Sequence, residues 1–194
     1  MSRERNFSEA EVIDRAADVF SAHGYGGTSV AMLADATGLG KQSLYNTFGD
    51  KQALYLKAVD CAVARYGAVA VAMHDAADGR AALQAFFDYL VNSCASGDPA
   101  QQSCIVSSGL LEAIDDSTVR MSLQSKWQHS HELLRAAVER GQRDGSVKNR
   151  APSAQLADVL ISLMSGLRVA ARVDADPTRL TAAVALALKV LDQP

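Results

Sequence analysis

The chain has 194 residues, 48% of them hydrophobic and 6% aromatic, with a formal net charge of −3; this excludes a disordered composition and provides for one sizeable core or two small ones. No apolar run approaches the ~20 residues that span a bilayer, and MSRERNFSEAEV lacks the apolar core of a signal peptide, so a cytoplasmic protein without a membrane partner is expected. Cys61, Cys94 and Cys104 form no CxxC and no dense framework, so reduced thiols are expected rather than a disulfide scaffold or structural zinc.

Ser8, with Glu11 three residues on, has the form of a capping box, and Val12, Ile13, Ala16, Val19 and Phe20 follow at helical spacing. Gly24, Gly26 and Gly27 interrupt that pattern. Thr28 and Ser29 stand where a second helix needs its N-cap, and Val30, Leu33 and Ala34 give that helix one buried edge. Gly38 suits the left-handed turn that ends it. In the next helix Leu44 and Phe48 lie on one side, leaving Gln42, Ser43, Asn46 and Thr47 to point largely elsewhere, as groups able to pair with base edges and phosphates. Two short helices about a tight glycine turn, the second with a polar face, have the layout of a helix-turn-helix. Charge argues the other way. Five basic residues (Arg3, Arg5, Arg15, Lys41, Lys51) against seven acidic ones give the first 51 residues a net charge of −2. A dimer using positioned donors and helix N-termini does not need a broad basic face.

Gly24-Tyr25, Thr28-Ser29, Gly38-Leu39, Lys41, Leu44-Tyr45, Phe48 and Lys51 together resemble the signature of the TetR family of transcriptional regulators. The resemblance implies a one-component regulator of all-α fold. Its helix-turn-helix DNA-binding domain would occupy residues 1–51 and its effector-binding and dimerisation domain residues 52–194, with double-stranded operator DNA, a small-molecule effector and a second copy of the chain as partners. Carried over by position, Lys41, Gln42, Ser43, Tyr45, Asn46 and Thr47 would enter the major groove, while Thr28, Tyr45 and Lys51 would hold phosphates; Ser29 is counted with them. Gly40 departs from the pattern, where the family often has a serine cap. Glycine is an acceptable cap but leaves the helix start less rigid.

Asp50 is placed as the N-cap of a fourth helix, which Leu54, Leu56, Ala58, Val59, Ala62 and Val63 continue without a clear breaker to the stretch around Val71. Such a helix would join the head mechanically to the body. Asp78-Gly79 opens a helix carrying Leu83, Phe86, Phe87, Leu90 and Val91, which ends near Ser96-Gly97. Asp98-Pro99 then reads as a cap followed by proline, before a short apolar helix with Cys104, Ile105, Val106, Leu110 and Leu111. Val119, Leu123, Trp127, Ser130, Leu134 and Val138 sustain a long helix that stops between Gly141 and Gly145. The last two helices carry Leu156, Val159, Leu160, Leu163, Met164 and Leu167, then Leu180, Val184, Ala187 and Leu191 after Asp176-Pro177. About nine helices and no sheet are expected.

From these last helices Leu156, Leu160, Leu163, Leu167, Leu180, Val184 and Leu191 are assigned to a homodimer interface built as a four-helix bundle. Phe86, Tyr89, Leu90, Cys104, Ser107, Leu110, Trp127, His131 and Met164 are candidates to line an effector pocket, although an aromatic stripe at helical spacing also suits plain core. His129, His131 and Glu132 do not have metal-site spacing, and Ser103, Ser107 and Ser108 have no nucleophile elbow or base beside them. No enzyme, metal or cofactor is therefore expected. Cys104 reads either as a small buried hydrophobe or as a thiol made reactive by a helix N-terminus, hence a redox or electrophile sensor of the same fold. A helical interaction protein that binds no DNA is the alternative that the acidic head leaves open.

Overall fold

The computed structural model describes residues 8–112 and 115–193, and every regular element among them is helical. In chain order these are α1 (Glu9–Gly27), α2 (Val30–Thr37), α3 (Lys41–Phe48), α4 (Lys51–Ala64), α5 (Gly67–Asp75), α6 (Gly79–Ala95), α7 (Pro99–Gln102), α8 (Ile105–Leu111), α9 (Ser117–Asp144), α10 (Ser153–Val173) and α11 (Pro177–Ala187), with a closing 3-10 turn at Leu188–Asp192. None of the helices is long and apolar enough to cross a membrane. Arg3 and Arg5, counted among the basic residues of the head, lie outside the described residues.

Aspartates set five of the eleven described helix starts. Asp50, Asp78, Asp98, Asp116 and Asp176 each accept a backbone N–H two or three residues on, which satisfies one of the orphan donors of a helix N-terminus. Ser8 behaves differently: its carbonyl accepts from Val12 N–H, but its hydroxyl makes no capping bond, so its half of the expected capping box is missing.

One expected helix, the fourth, is broken, while the short apolar helix starts at Cys104 as expected; one arginine holds both breaks. The fourth does not run on to Val71 but ends at Ala64, where Tyr66 N–H turns back to the Val63 carbonyl at 3.0 Å in a tight 3-10 closure and Gly67 starts α5. Arg65 is drawn to α1, with Nη1 at 2.6 Å from Asp18 and Nε at 3.1 Å from Asp14, while the Tyr66 hydroxyl accepts from Arg168 Nη2 of α10 at 2.6 Å. The second break is at Ser103. The carbonyls of Gln101 and Ser103 accept from Arg168 Nη1 at 3.0 and 2.8 Å, Ser103 is extended, and the helix restarts at Ile105 with Cys104 as its N-cap.

Buried side chains form two clusters. Val12, Phe20, Leu33, Leu44, Phe48, Leu54, Tyr55 and Val59 hold α1 to α4 together, and the same cluster takes in Ile105 and Val106 of α8 with Val119 and Leu123 of α9. The other cluster unites α5, α6, the C-terminal half of α9, α10 and α11. Trp127 packs against both. Three short helices alone bury too little to be stable, and here α4, α8 and α9 complete the core of the head.

The side chains expected at an interface of the last two helices turn inward in this chain. Leu156, Leu160, Leu167, Leu180, Val184 and Leu191 are all buried in this chain's own core, and Leu163 is half-buried against it. Periodicity locates an apolar face without saying what covers it, and here α6, α9 and α11 cover that of α10. The face left outside carries Val159, Gly166, Val169 and Val173 on α10 and Ala182 and Leu186 on α11.

Candidate functional site

The head presents α3 as its polar face. Leu44 and Phe48 are buried, Lys41, Gln42, Ser43 and Asn46 are exposed, and Tyr45 and Thr47 are half-buried. Gln42 Nε2 donates to Asn46 Oδ1 at 3.0 Å across one helical turn, which leaves Gln42 Oε1 and the Asn46 amide hydrogens facing outward as a matched acceptor and donor. The turn before α3 is made by Gly38, whose φ of 73° is left-handed and whose N–H closes on the Ala34 carbonyl. Ser29, not Thr28, caps α2: its hydroxyl accepts from Met32 N–H at 3.2 Å. Thr28 is 1% exposed and its hydroxyl donates to the Gly24 carbonyl at 2.6 Å, so its side chain is engaged at the end of α1. Lys51 lies with its ammonium 4.4 Å from the centroid of the Tyr25 ring, and burial lowers its pKa.

Three of the acidic residues of the head are engaged within the fold. Asp14 and Asp18 are taken up by Arg65 at the junction of α4 and α5, and hydrogen bonding from that guanidinium holds the Asp14 carboxyl below its ordinary value. Asp50 is occupied in capping α4.

Three joints fasten this head to the body. Arg65 with Asp14 and Asp18 is one, and the Tyr55 hydroxyl donating to the Ile105 carbonyl of α8 at 3.2 Å is another. The third is Glu112, at the end of α8, whose carboxylate accepts from Tyr25 N–H at 2.9 Å and Gly26 N–H at 2.5 Å. Gly24 makes that approach feasible: its φ is 74°, and a Cβ there would run into the Glu112 carboxylate. The glycine cluster is visible in the sequence, but its distant partner is not.

A partly open, mostly apolar cavity of about 180 Å³ lies in the body, bounded by the α4–α5 junction, α6, α9 and α10. Of the residues expected at an effector pocket, Phe86, Tyr89, Leu90, Cys104, Trp127 and Met164 line this cavity. Ser107 borders instead a more open neighbouring cavity of about 310 Å³, Leu110 packs on the core of the head, and His131 turns to Asp158 of α10 with Nε2 at 3.0 Å. The predicted set lacks Tyr66, Ser130 and Arg168, which also line the cavity. Arg168 was detectable, since it follows Leu160 and Met164 at i+4 on the inward face of an apolar helix. A wider cleft of about 330 Å³ joins Asp14, Asp18, Arg65 and Asp98 to Tyr66 and Cys104. Cys104 borders all three spaces and is half-buried.

A glycine-turned helix pair with an exposed polar second helix, braced on a helical body that contains a cavity, defines the one-component helix-turn-helix regulators. Residues 12–58 match the description of the bacterial regulatory proteins of the tetR family, and residues 79–187 match the tetracyclin repressor-like C-terminal domain. The chain belongs to the TetR family. It is 31% identical to the uncharacterized HTH-type transcriptional regulator YezE of Bacillus subtilis, over 99% of this chain and 100% of that one. It is 24% identical to the HTH-type transcriptional repressor ComR of Escherichia coli, over 88% and 82%. Among solved structures, a cysteine mutant of the TetR family transcriptional regulator CifR complexed with 26-bp double-strand operator DNA superposes with a TM-score of 0.84, at 28% identity over 97% of this chain and 99% of that one.

Proposed function

We propose that the protein is a transcriptional repressor that binds a roughly palindromic operator as a homodimer and is released from it by a small molecule held in the 180 Å³ cavity. The observation that carries the reading is the exposed row Lys41, Gln42, Ser43 and Asn46 on a buried Leu44–Phe48 spine. Kinship with an operator-bound relative favours it over a helical interaction protein. Gln42, Ser43 and Asn46 read bases, Lys41 and Thr47 flank them in the groove, and Ser29, Tyr45 and Lys51 hold phosphates. Residues 1–51 act as the reading unit and residues 52–194 as the effector-binding and dimerisation unit, although the two share a core. The outer face of α10 and α11, with Val159, Gly166, Val169, Val173 and Leu186, takes the second copy. A cytoplasmic location follows from this role. A gel shift on the DNA upstream of the protein's own coding sequence tests the reading: a retarded band that survives excess random duplex is expected, and a band lost to equal amounts of it contradicts the reading.

A second mode of release is favoured by the position of Cys104, half-buried where three cavities meet. Thiol modification would press on the same wall as a bound ligand. Under mild peroxide or quinone, Cys104→Ser is then expected to stay on operator while the wild type lets go. Identical release by both proteins removes the thiol from the mechanism.

A further inference from the structure

Resting on the effector-released reading of the cavity, we infer that the effector is an anion, a compact apolar monocarboxylate whose carboxylate docks on Arg168 and Tyr66. Arg168 is 5% exposed, and no carboxylate pairs with it among the described residues. A buried cation without a counter-ion is costly to keep, and neutral carbonyls compensate it only in part. Of the five N–H donors of its guanidinium, three are engaged: two on Nη1 with the carbonyls of Gln101 and Ser103, and one on Nη2 with the Tyr66 hydroxyl. Two donors remain. Nε is buried without any hydrogen-bond partner, and Nη2 has a second hydrogen to offer. Because the Tyr66 oxygen already accepts from Arg168, its own hydrogen points elsewhere as a third donor. Burial pushes the Tyr66 phenol up to about 12, so it stays a donor at neutral pH.

Three unused donors beside one uncompensated positive charge suit the two oxygens of a carboxylate, which accepts charge-assisted bonds from a guanidinium in a planar fork. The rest of the wall is mostly apolar, with Tyr89, Cys104, His129 and Ser130 as its other polar residues. Phe86, Leu133, Trp127 and Met164 face the same space, which suits a single ring or a short chain attached to that carboxylate. The volume, about 180 Å³, is below the roughly 300–1,000 Å³ of pockets for drug-sized molecules, which restricts the ligand to a small one.

The same contacts explain how such an anion is transmitted. Arg168 holds the carbonyls that break α7 from α8 and the tyrosine that breaks α4 from α5, next to Arg65 and its bonds to α1. A carboxylate that competes for this guanidinium and draws on Tyr66 shifts both breaks, and with them two of the joints to the head.

The test uses the full-length wild-type protein and the fluorescence of Trp127, the single tryptophan of the chain and a wall of the cavity. Benzoate, phenylacetate, 3-phenylpropionate and hexanoate are titrated beside their primary amides, which keep the shape and lose the charge. At least one acid is expected to give a saturable change with affinity ~tenfold or more above its amide, in line with the strength of charge-assisted bonds. Arg168→Met should remove that preference, bringing the acid down to the affinity of its amide in the same variant. Tyr66→Phe should weaken the acid by a smaller factor, and Arg168→Lys should restore part of it. Circular dichroism and operator binding without ligand report whether each variant is folded. Should Arg168→Met not fold, the acid-to-amide ratio in the wild type and the Tyr66→Phe titration decide the matter. An amide bound as tightly as its acid, or no saturable response to any of the four acids, overturns the inference; if operator DNA is still bound specifically, the regulator reading stands without it.

Discussion

At Gln42 and Lys51 the proposed division between reading and anchoring makes separable predictions. Gln42 is exposed and tied to Asn46 within α3, so Gln42→Ala should leave the fold intact and relax preference at particular base pairs by about 1–3 kcal/mol each. Lys51 stands at the start of α4 over the Tyr25 ring, away from the reading row. Lys51→Ala should therefore weaken all duplexes alike and reduce the salt slope of binding by about one, as measured by fluorescence anisotropy across a salt series. If Gln42→Ala lowers affinity uniformly, with no change in base preference, the roles are wrongly assigned. Single residues were legible where a local rule fixed them: Gly38 as a left-handed stop, Asp50 as a cap, Leu44 and Phe48 as the inner side of α3. They were illegible where a remote partner decides. Thr28 is a reasonable cap by type, and only the fold of the Gly24 turn shows its hydroxyl already in use.

Among the elements, the junction between α4 and α5 is where propensity and tertiary structure disagree. Alanines around residues 62–71 favour helix and no proline interrupts them, so the sequence reads as one helix despite Gly67. Arg65 and Tyr66 prevent this through bonds to α1 and α10, residues distant in sequence. The junction has a pH signature. Arg65 holds the Asp14 carboxyl below its ordinary 3.8, and a depressed carboxylate stabilises the folded chain above its unfolded pKa and loses that contribution as pH falls through the folded value. Wild type should therefore exceed Arg65→Met in thermal stability at neutral pH, by a margin that is small because the pair is exposed, and the margin should shrink as pH drops below 3.8. A margin that stays constant down to pH 2 would show that Arg65 acts through packing alone.

For the molecule as a whole, most helix starts and the helix-turn-helix could be read from the chain, because caps, glycines and 3.6-residue periodicity are local signals. Which apolar face pairs with which could not. Leu160 and Val169 lie nine residues apart on α10, yet one is fully buried in the chain and the other is 65% exposed. The dimer prediction moves accordingly: Val169→Arg is expected to yield monomers by sedimentation velocity with the helical content intact, and to lose operator affinity because a single head reads only a half-site. Leu160→Arg should unfold the body instead. Above these stands the claim that the chain is a sequence-specific regulator. Its most direct measurement is the dissociation constant of the wild type for its own upstream duplex and for a shuffled duplex of equal length and composition, at one physiological salt concentration. A preference of about 10³-fold or more for the upstream duplex, with two protomers bound to each, is the predicted result; equal affinity for the two duplexes would contradict the account.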